Sequence, residues 1–237
     1  MARALLSERV RDVAEAACRV FIDKGYRRAH ISDVAAELGL SHGAVYGYVE
    51  SKEALFQLAM TLAIGLEPVE DLALPVPTPE PGQLLAPLRA WNPANSFPLL
   101  TEALARSRTA DVRGEMASVI DELYGLLHRS RRFLSLVEHS VQDVPELSEL
   151  YYQHLRGDQV SDLTAYVEKR IAGGYLRPVP DVVTATRFII ESVAWFAWHR
   201  MDDRDGALID GDVARGTVLQ LVLDGFVPEG SPPGPPG

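Results

Sequence analysis

Residues 31–56 read ISDVAAELGLSHGAVYGYVESKEALF, and their spacing decides the fold. Ile31, Val34, Ala35 and Leu38 recur at helical spacing, which predicts a short helix over Ile31–Leu38 ending at Gly39. Ser41 is a good N-cap for a third helix, and Ser51 for a fourth whose apolar face holds Leu55, Leu58, Leu62 and Ile64. Ala35, Gly39 and Val45 carry the joint between the two short helices. The small residue lets them approach, Gly39 can take the left-handed conformation of a tight turn, and Val45 packs the second helix on the first. Upstream, Val10, Val13, Ala14, Ala17, Cys18 and Phe21 form one face of a preceding helix that Gly25 stops.

Outward from this stretch, Pro68, Pro75, Pro77, Pro79 and Pro81 predict an extended, semi-rigid linker over residues 67–82. Helical patterns resume near residues 83–90 and 96–108, then from about Asp111 to Glu138. Pro145 opens a helix that Gly173 and Gly174 close, and Asp181–Met201 and Asp212–Phe226 read as the last two. The tail, Pro228–Gly237, is almost all Pro and Gly and is expected to be disordered. No strand alternation and no internal repeat stands out, so the fold class is all-α.

Net charge is -10, which at first opposes nucleic-acid binding. Residues 1–56, however, hold eight basic and eight acidic residues, so all the excess acidity lies beyond them. That asymmetry suits a DNA-reading module joined to a domain that DNA repels. Cys18 is the single cysteine, which excludes an intrachain disulfide and suits a small core thiol. Met1–Ser7 has no apolar signal stretch and no run is long enough to span a bilayer, so a cytoplasmic protein is expected. Nucleophile elbow, phosphate-binding glycine loop, paired-cysteine metal motif and His-Glu-x-x-His spacing are all missing, and no enzyme, cofactor or metal site is expected. An adaptor or an enzyme without DNA binding is the alternative, but an adaptor leaves the turn glycine, the tyrosines and Lys52 without a joint explanation.

Residues 14–56 resemble the N-terminal domain of TetR-family regulators, above all at Phe21 to Gly25-Tyr26, Ile31 to Gly39 and Tyr46 to Phe56. The resemblance implies that the third helix lies in the major groove. Ser41, His42, Gly43 and Ala44 would approach base edges, with His42 the best candidate for a polar base contact. Tyr46, Tyr48 and Lys52 match positions that contact phosphates, and Arg3, Arg27 and Arg28 are expected to add electrostatic attraction. Three residues depart from the common pattern: His30 stands where Ser or Thr usually caps, Tyr48 where His is frequent, and Gly47 precedes it. His30, a poorer cap, is then a candidate for a phosphate contact instead, while Gly47 offers only its backbone. Gly43 and Gly47 are four apart and share a helical face, each costing roughly 1 kcal/mol relative to Ala. Close approach to the groove and simple tolerance are both open readings of them. On the first, Gly47→Ala stabilises the free protein and weakens operator binding.

The implied organisation is a helix-turn-helix domain over 1–56, a larger helical ligand-binding and dimerisation domain over 57–227, and the tail. One short reading helix buries too little for selective binding, so a homodimer on double-stranded operator DNA is expected. By the resemblance, its interface is a four-helix bundle of the last two helices, with Phe188, Ile189, Val193, Phe196, Ala197, Val218, Leu221 and Val222 as candidates. Repression relieved by a largely apolar small-molecule effector is the implied outcome. Trp91, Phe97, Met116, Tyr124, His128, Phe133, Trp195 and His199 are the candidate lining residues.

Overall fold

Gly25 ends the first straight run of helix. It lies inside α1 (Ala2–Arg28) with φ 73 and ψ 166, a conformation that breaks the helical path and that side chains with a Cβ avoid. A Cβ there would also stand 2.5 Å from His139 O, so the position is closed to larger residues twice over. The computed structural model describes residues 2–66, 73–90 and 97–229. Trp91, residues 67–72 of the expected linker and residues 230–237 of the expected tail lie outside that set.

Helices α2 (Ile31–Glu37), α3 (His42–Val45) and α4 (Lys52–Ala63) follow where the capping pattern places them. Ser41 Oγ accepts from Ala44 N–H at 3.3 Å and Ser51 Oγ from Ala54 N–H at 3.1 Å. α4 packs on α1 through Phe56, whose ring meets the edge of Phe21 at 5.0 Å and of Tyr26 at 4.9 Å. Among the described residues there is no strand, only a single parallel bridge between Val49 and Val76. That bridge fastens the described part of the expected extended linker, 67–82, to the residues that follow α3.

The later helices are α5 (Ala86–Ala90), α6 (Pro98–Ala105), α7 (Val112–Ser140), α8 (Pro145–Glu149), α9 (Arg156–Ala172), α10 (Val182–Ala197) and α11 (Gly211–Phe226). Pro145 opens a helix as expected, but a π-turn over Leu150–Leu155 divides α8 from α9. α10 stops at Ala197, and a 3₁₀ turn over His199–Met201 takes up the rest of the expected helix. The chain forms two compact units, Met1–Asn92 with Arg132–Tyr151, and Pro93–Arg131 with Tyr152–Gly237. They are discontinuous in sequence, whereas the expectation above divides the chain in order at residue 56.

In the first unit the end of α7 is fastened to α1. Asp143 Oδ2 accepts the Arg27 N–H at 2.8 Å, just past the Gly25 break, and His139 Nδ1 bonds Ile22 O. The second unit has its own core, in which Met116 and Ile120 of α7 meet Tyr166 and Val167 of α9, Ile189 and Val193 of α10, and Val218 and Val222 of α11. Arg170 is fully buried within this unit. Its guanidinium takes both oxygens of Glu115, at 2.6 and 3.0 Å, and donates to Ala103 O at 2.8 Å and Arg106 O at 3.1 Å. The charge is thus paired, and two carbonyls at the end of α6 that no helical N–H reaches are satisfied. Tyr166 also donates to Glu115.

Two outcomes are expected. Arg170→Met leaves the Glu115 carboxylate buried and unpaired, and should lower the unfolding free energy in urea by about 3–5 kcal/mol; a loss well under 1 would show that the pair carries no stability. Gly25→Ala should cost about 1–2 kcal/mol from the left-handed backbone alone and more from the contact with His139 O, which a drop in the melting temperature will register.

Candidate nucleic-acid interface

The candidate reading element is built from a four-residue helix and the turn that follows it. Val45 is buried against α2, while Ser41, His42 and Gly43 are exposed and Ala44 is half-buried. Gly39 supplies the turn with φ 64, as its position in the sequence requires. The α-helix ends at Val45, so Tyr46, Gly47 and Tyr48 form a turn held by Gly47 N–H to Ala44 O at 3.2 Å and Tyr48 N–H to Val45 O at 2.9 Å. Tyr46 is exposed, with its ring edge-on to His42 at 5.2 Å, and Tyr48 is half-buried.

This ending corrects the expectation for the glycines. Gly43 is in the helix and Gly47 is not, so they do not share a helical face. A Cβ on Gly43 would meet open space, whereas one on Gly47 would come within 3.2 Å of Ala44 O. Gly47→Ala therefore gains no helix propensity, and its neighbour must yield to admit it.

Lys52 is not a free cation. Its ammonium donates to Arg27 O at 3.1 Å and lies 4.7 Å from the centre of the Tyr26 ring. Partial burial lowers its pKa, against the opposing pull of Glu53, Asp143 and Asp33. The bond serves the end of α1, where backbone carbonyls lack helical partners. Tyr26 OH donates to Glu53 at 3.2 Å, and burial with that carboxylate pushes its pKa up to about 12.

His30 is the exposed N-cap of α2, and its own N–H donates to Asp33 Oδ2 at 2.8 Å. Asp33 also pairs with Lys24 at 2.9 Å, and those two partners hold its carboxyl below the usual range. Arg28 is exposed, with Nε bonded to Lys24 O at 2.9 Å. Arg27 is open as well, at 84% side-chain exposure, with Asp143 at 3.7 Å. The sequence reading missed Glu50, Val76 and Thr78. Tyr48 O accepts from Val76 N–H at 2.7 Å, Glu50 N–H donates to Val76 O at 3.0 Å, and Thr78 N–H donates to Glu50 Oε2 at 2.9 Å. The one signal was a buried-type valine between two prolines, Pro75 and Pro77.

The remaining candidates are dispersed. Ile189, Val193, Ala197, Val218 and Val222 are buried in the core of the second unit, on the inner faces of α10 and α11. Phe188 and Leu221 are open, at 62% and 68%, and Phe196 is half-buried. Trp195 lies on the same side of α10 as Phe188, and Val183 of α10 and Val213 of α11 are exposed as well. Of the expected lining residues, Phe97, Met116 and Tyr124 are buried core of the second unit, while Phe133 belongs to the first. Tyr124 OH donates to Phe196 O at 3.1 Å and His128 Nδ1 bonds Ala197 O at 3.1 Å. Trp195 is exposed and His199 half-buried, with its ring stacked on Trp198 at 3.8 Å.

No helix among the described residues is long and apolar enough to cross a membrane. Residues 13–59 match the family described as "Bacterial regulatory proteins, tetR family". No curated protein matches the sequence. Among solved structures, the chain is similar to the ketosteroid transcriptional regulator KstR2 of Mycobacterium tuberculosis, at 19% identity and TM-score 0.58 over 93% of this chain and 96% of that one. It is also similar to the TetR family transcriptional regulator PfmR of Thermus thermophilus, at 22% identity and TM-score 0.54 over 90% and 97%. A tetR-family regulatory protein of Rhodococcus RHA1 gives 18% identity and TM-score 0.53 over 91% and 95%. These likenesses are of fold, and the match over residues 13–59 is of the reading head itself. Residues 13–59 thus carry the N-terminal domain of the tetR family, and along the rest of the chain the likeness to these regulators is one of fold.

Proposed function

We propose that this chain works as a homodimer on an operator, with the turn from Ser41 to Tyr48 as the reading surface of each head. The observation that carries this is the outward set His42, Gly43, Tyr46 and Gly47, held on a capped helix whose other side is fixed by buried Val45. His42 and the bare backbone at Gly43 meet base edges, with Ser41 and Ala44 at their margin. Tyr46, Tyr48, Arg28 and His30 meet phosphates, joined by the N–H groups of Lys52 that Arg27 O leaves over. Residues 1–56 serve as the reading head and 57–227 as the regulatory and pairing part. The protein acts where the DNA is, in the cytoplasm.

The partner copy covers the outward stripe of α10 and α11, with Phe188 and Leu221 at its centre. Large apolar side chains opened to this extent on two adjoining helices suit burial by a second subunit. Glu191, paired with Arg156 and Arg187, gives that patch a charged border. Repression relieved by an effector fits the same frame. Tyr124 and His128 hold the last carbonyls of α10, so a ligand that takes over those bonds moves the helix on which pairing depends. Movement there alters the spacing of the two heads, and release follows by population shift.

Selection of bound fragments from genomic DNA, followed by footprinting at two salt concentrations, tests the reading. A discrete footprint with affinity falling as salt rises is expected; a folded dimer that protects no fragment at low salt would sink it. Gly43→Ala should raise the melting temperature, by up to about 1 kcal/mol of helix propensity, while weakening binding, since its Cβ points into open space where the groove lies. Unchanged affinity would leave Gly43 as mere tolerance. Phe188→Glu should shift sedimentation from dimer to monomer and abolish the footprint; a stable dimeric variant would place the interface elsewhere.

A further inference from the structure

The bonds between the proline-rich segment and the reading turn have no part in the function as described so far. Val76 is bonded on both sides of Val49, donating to Tyr48 O at 2.7 Å and accepting from Glu50 N–H at 3.0 Å. Both valines are buried. Pro75 and Pro77 have no N–H, so Val76 supplies the one backbone donor of that triplet and spends it on the carbonyl of Tyr48. Beyond it, Thr78 N–H holds Glu50 Oε2 at 2.9 Å.

These bonds fall where the reading element is least able to hold itself. Tyr46, Gly47 and Tyr48 follow the end of α3, where the local backbone bonds are those of Gly47 N–H to Ala44 O and of Tyr48 and Val49 N–H to Val45 O. Glu50 is also the sole carboxylate between Glu37 and Glu53. An unrestrained carboxylate beside this surface would repel phosphates, and the Thr78 N–H engages it instead.

We infer that residues 74–78 form a positioning strap for the DNA-reading turn: Val76 fixes the backbone that carries Tyr46 and Tyr48, and Thr78 holds the Glu50 carboxylate away from the phosphate backbone. The inference rests on the DNA-binding reading above. Val76 and Thr78 need not touch DNA themselves, and both act through the turn.

The test uses the full chain and a fragment recovered from the genomic selection, titrated at low and high salt. Thr78→Pro removes the N–H and frees Glu50, and should weaken binding about tenfold at low salt. The loss should shrink as salt screens the repulsion. Glu50→Gln added to Thr78→Pro should restore most of the affinity, which a purely structural role for Thr78 would not allow. Val76→Pro should weaken binding at both salts, and Val76→Ala, which keeps the N–H, should bind more tightly than Val76→Pro. Wild-type affinity in both proline variants overturns the strap. Amide exchange on the wild-type chain guards against variants that fail to fold: Val76 and Glu50 amides should be protected like those of α2, and exchange at the rate of an open chain overturns the inference too. A wild type that selects no fragment removes the DNA-binding reading and the strap's role together, whereas a wild type that binds no better than the proline variants removes the strap alone.

Discussion

A helix of four residues has no stability of its own, because nucleation fixes several backbone angles for the first hydrogen bond gained. The candidate reading element, His42–Val45, is such a helix, and the features around it compensate for that shortfall. Ser41 satisfies an N-terminal donor, Gly39 sets the angle of entry, and Val45 and Val49 anchor the inner side in the core. Residues 76–78 then fasten the exit. The outward face is left free of structural duty, and its side chains can be chosen for what they touch.

The second unit solves a different problem. Its helices cross around a buried cation, and Arg170 joins α9 to α7 through Glu115 and to the end of α6 through two carbonyls. A planar guanidinium can serve all of these at once, where an ammonium would leave geometry unmet. At the end of α10, Phe196 O accepts from Tyr124 OH and from Arg200 Nε, and Ala197 O is bonded by His128 Nδ1. The same helix leaves Phe188 and Trp195 exposed.

Much of the reading head was legible from residue types. Capping serines, a turn glycine and the 3.6-residue apolar period each report a local requirement, and local requirements are written at fixed offsets along the chain. The same reasoning is silent where the partner is distant. Lys52 reads as an exposed charge, yet it is bonded to Arg27 O. Gly47 reads as helical, yet the helix ends before it. Ile189, Val193, Ala197, Val218 and Val222 read as an interface because an apolar periodicity does not say which core it faces.

By itself the sequence determined the all-α class, the positions and caps of α2, α3 and α4, and the kind of surface α3 presents, since each follows from neighbours a few residues away. Tertiary structure decided the rest. It fastened residues 76–78 behind the reading turn, set Gly25 against His139 O and Asp143 against Arg27, and divided the apolar faces of α10 and α11 into an inner core and an outer stripe. Those outcomes depend on contacts between residues far apart in the chain, for which neither spacing nor propensity carries a signal.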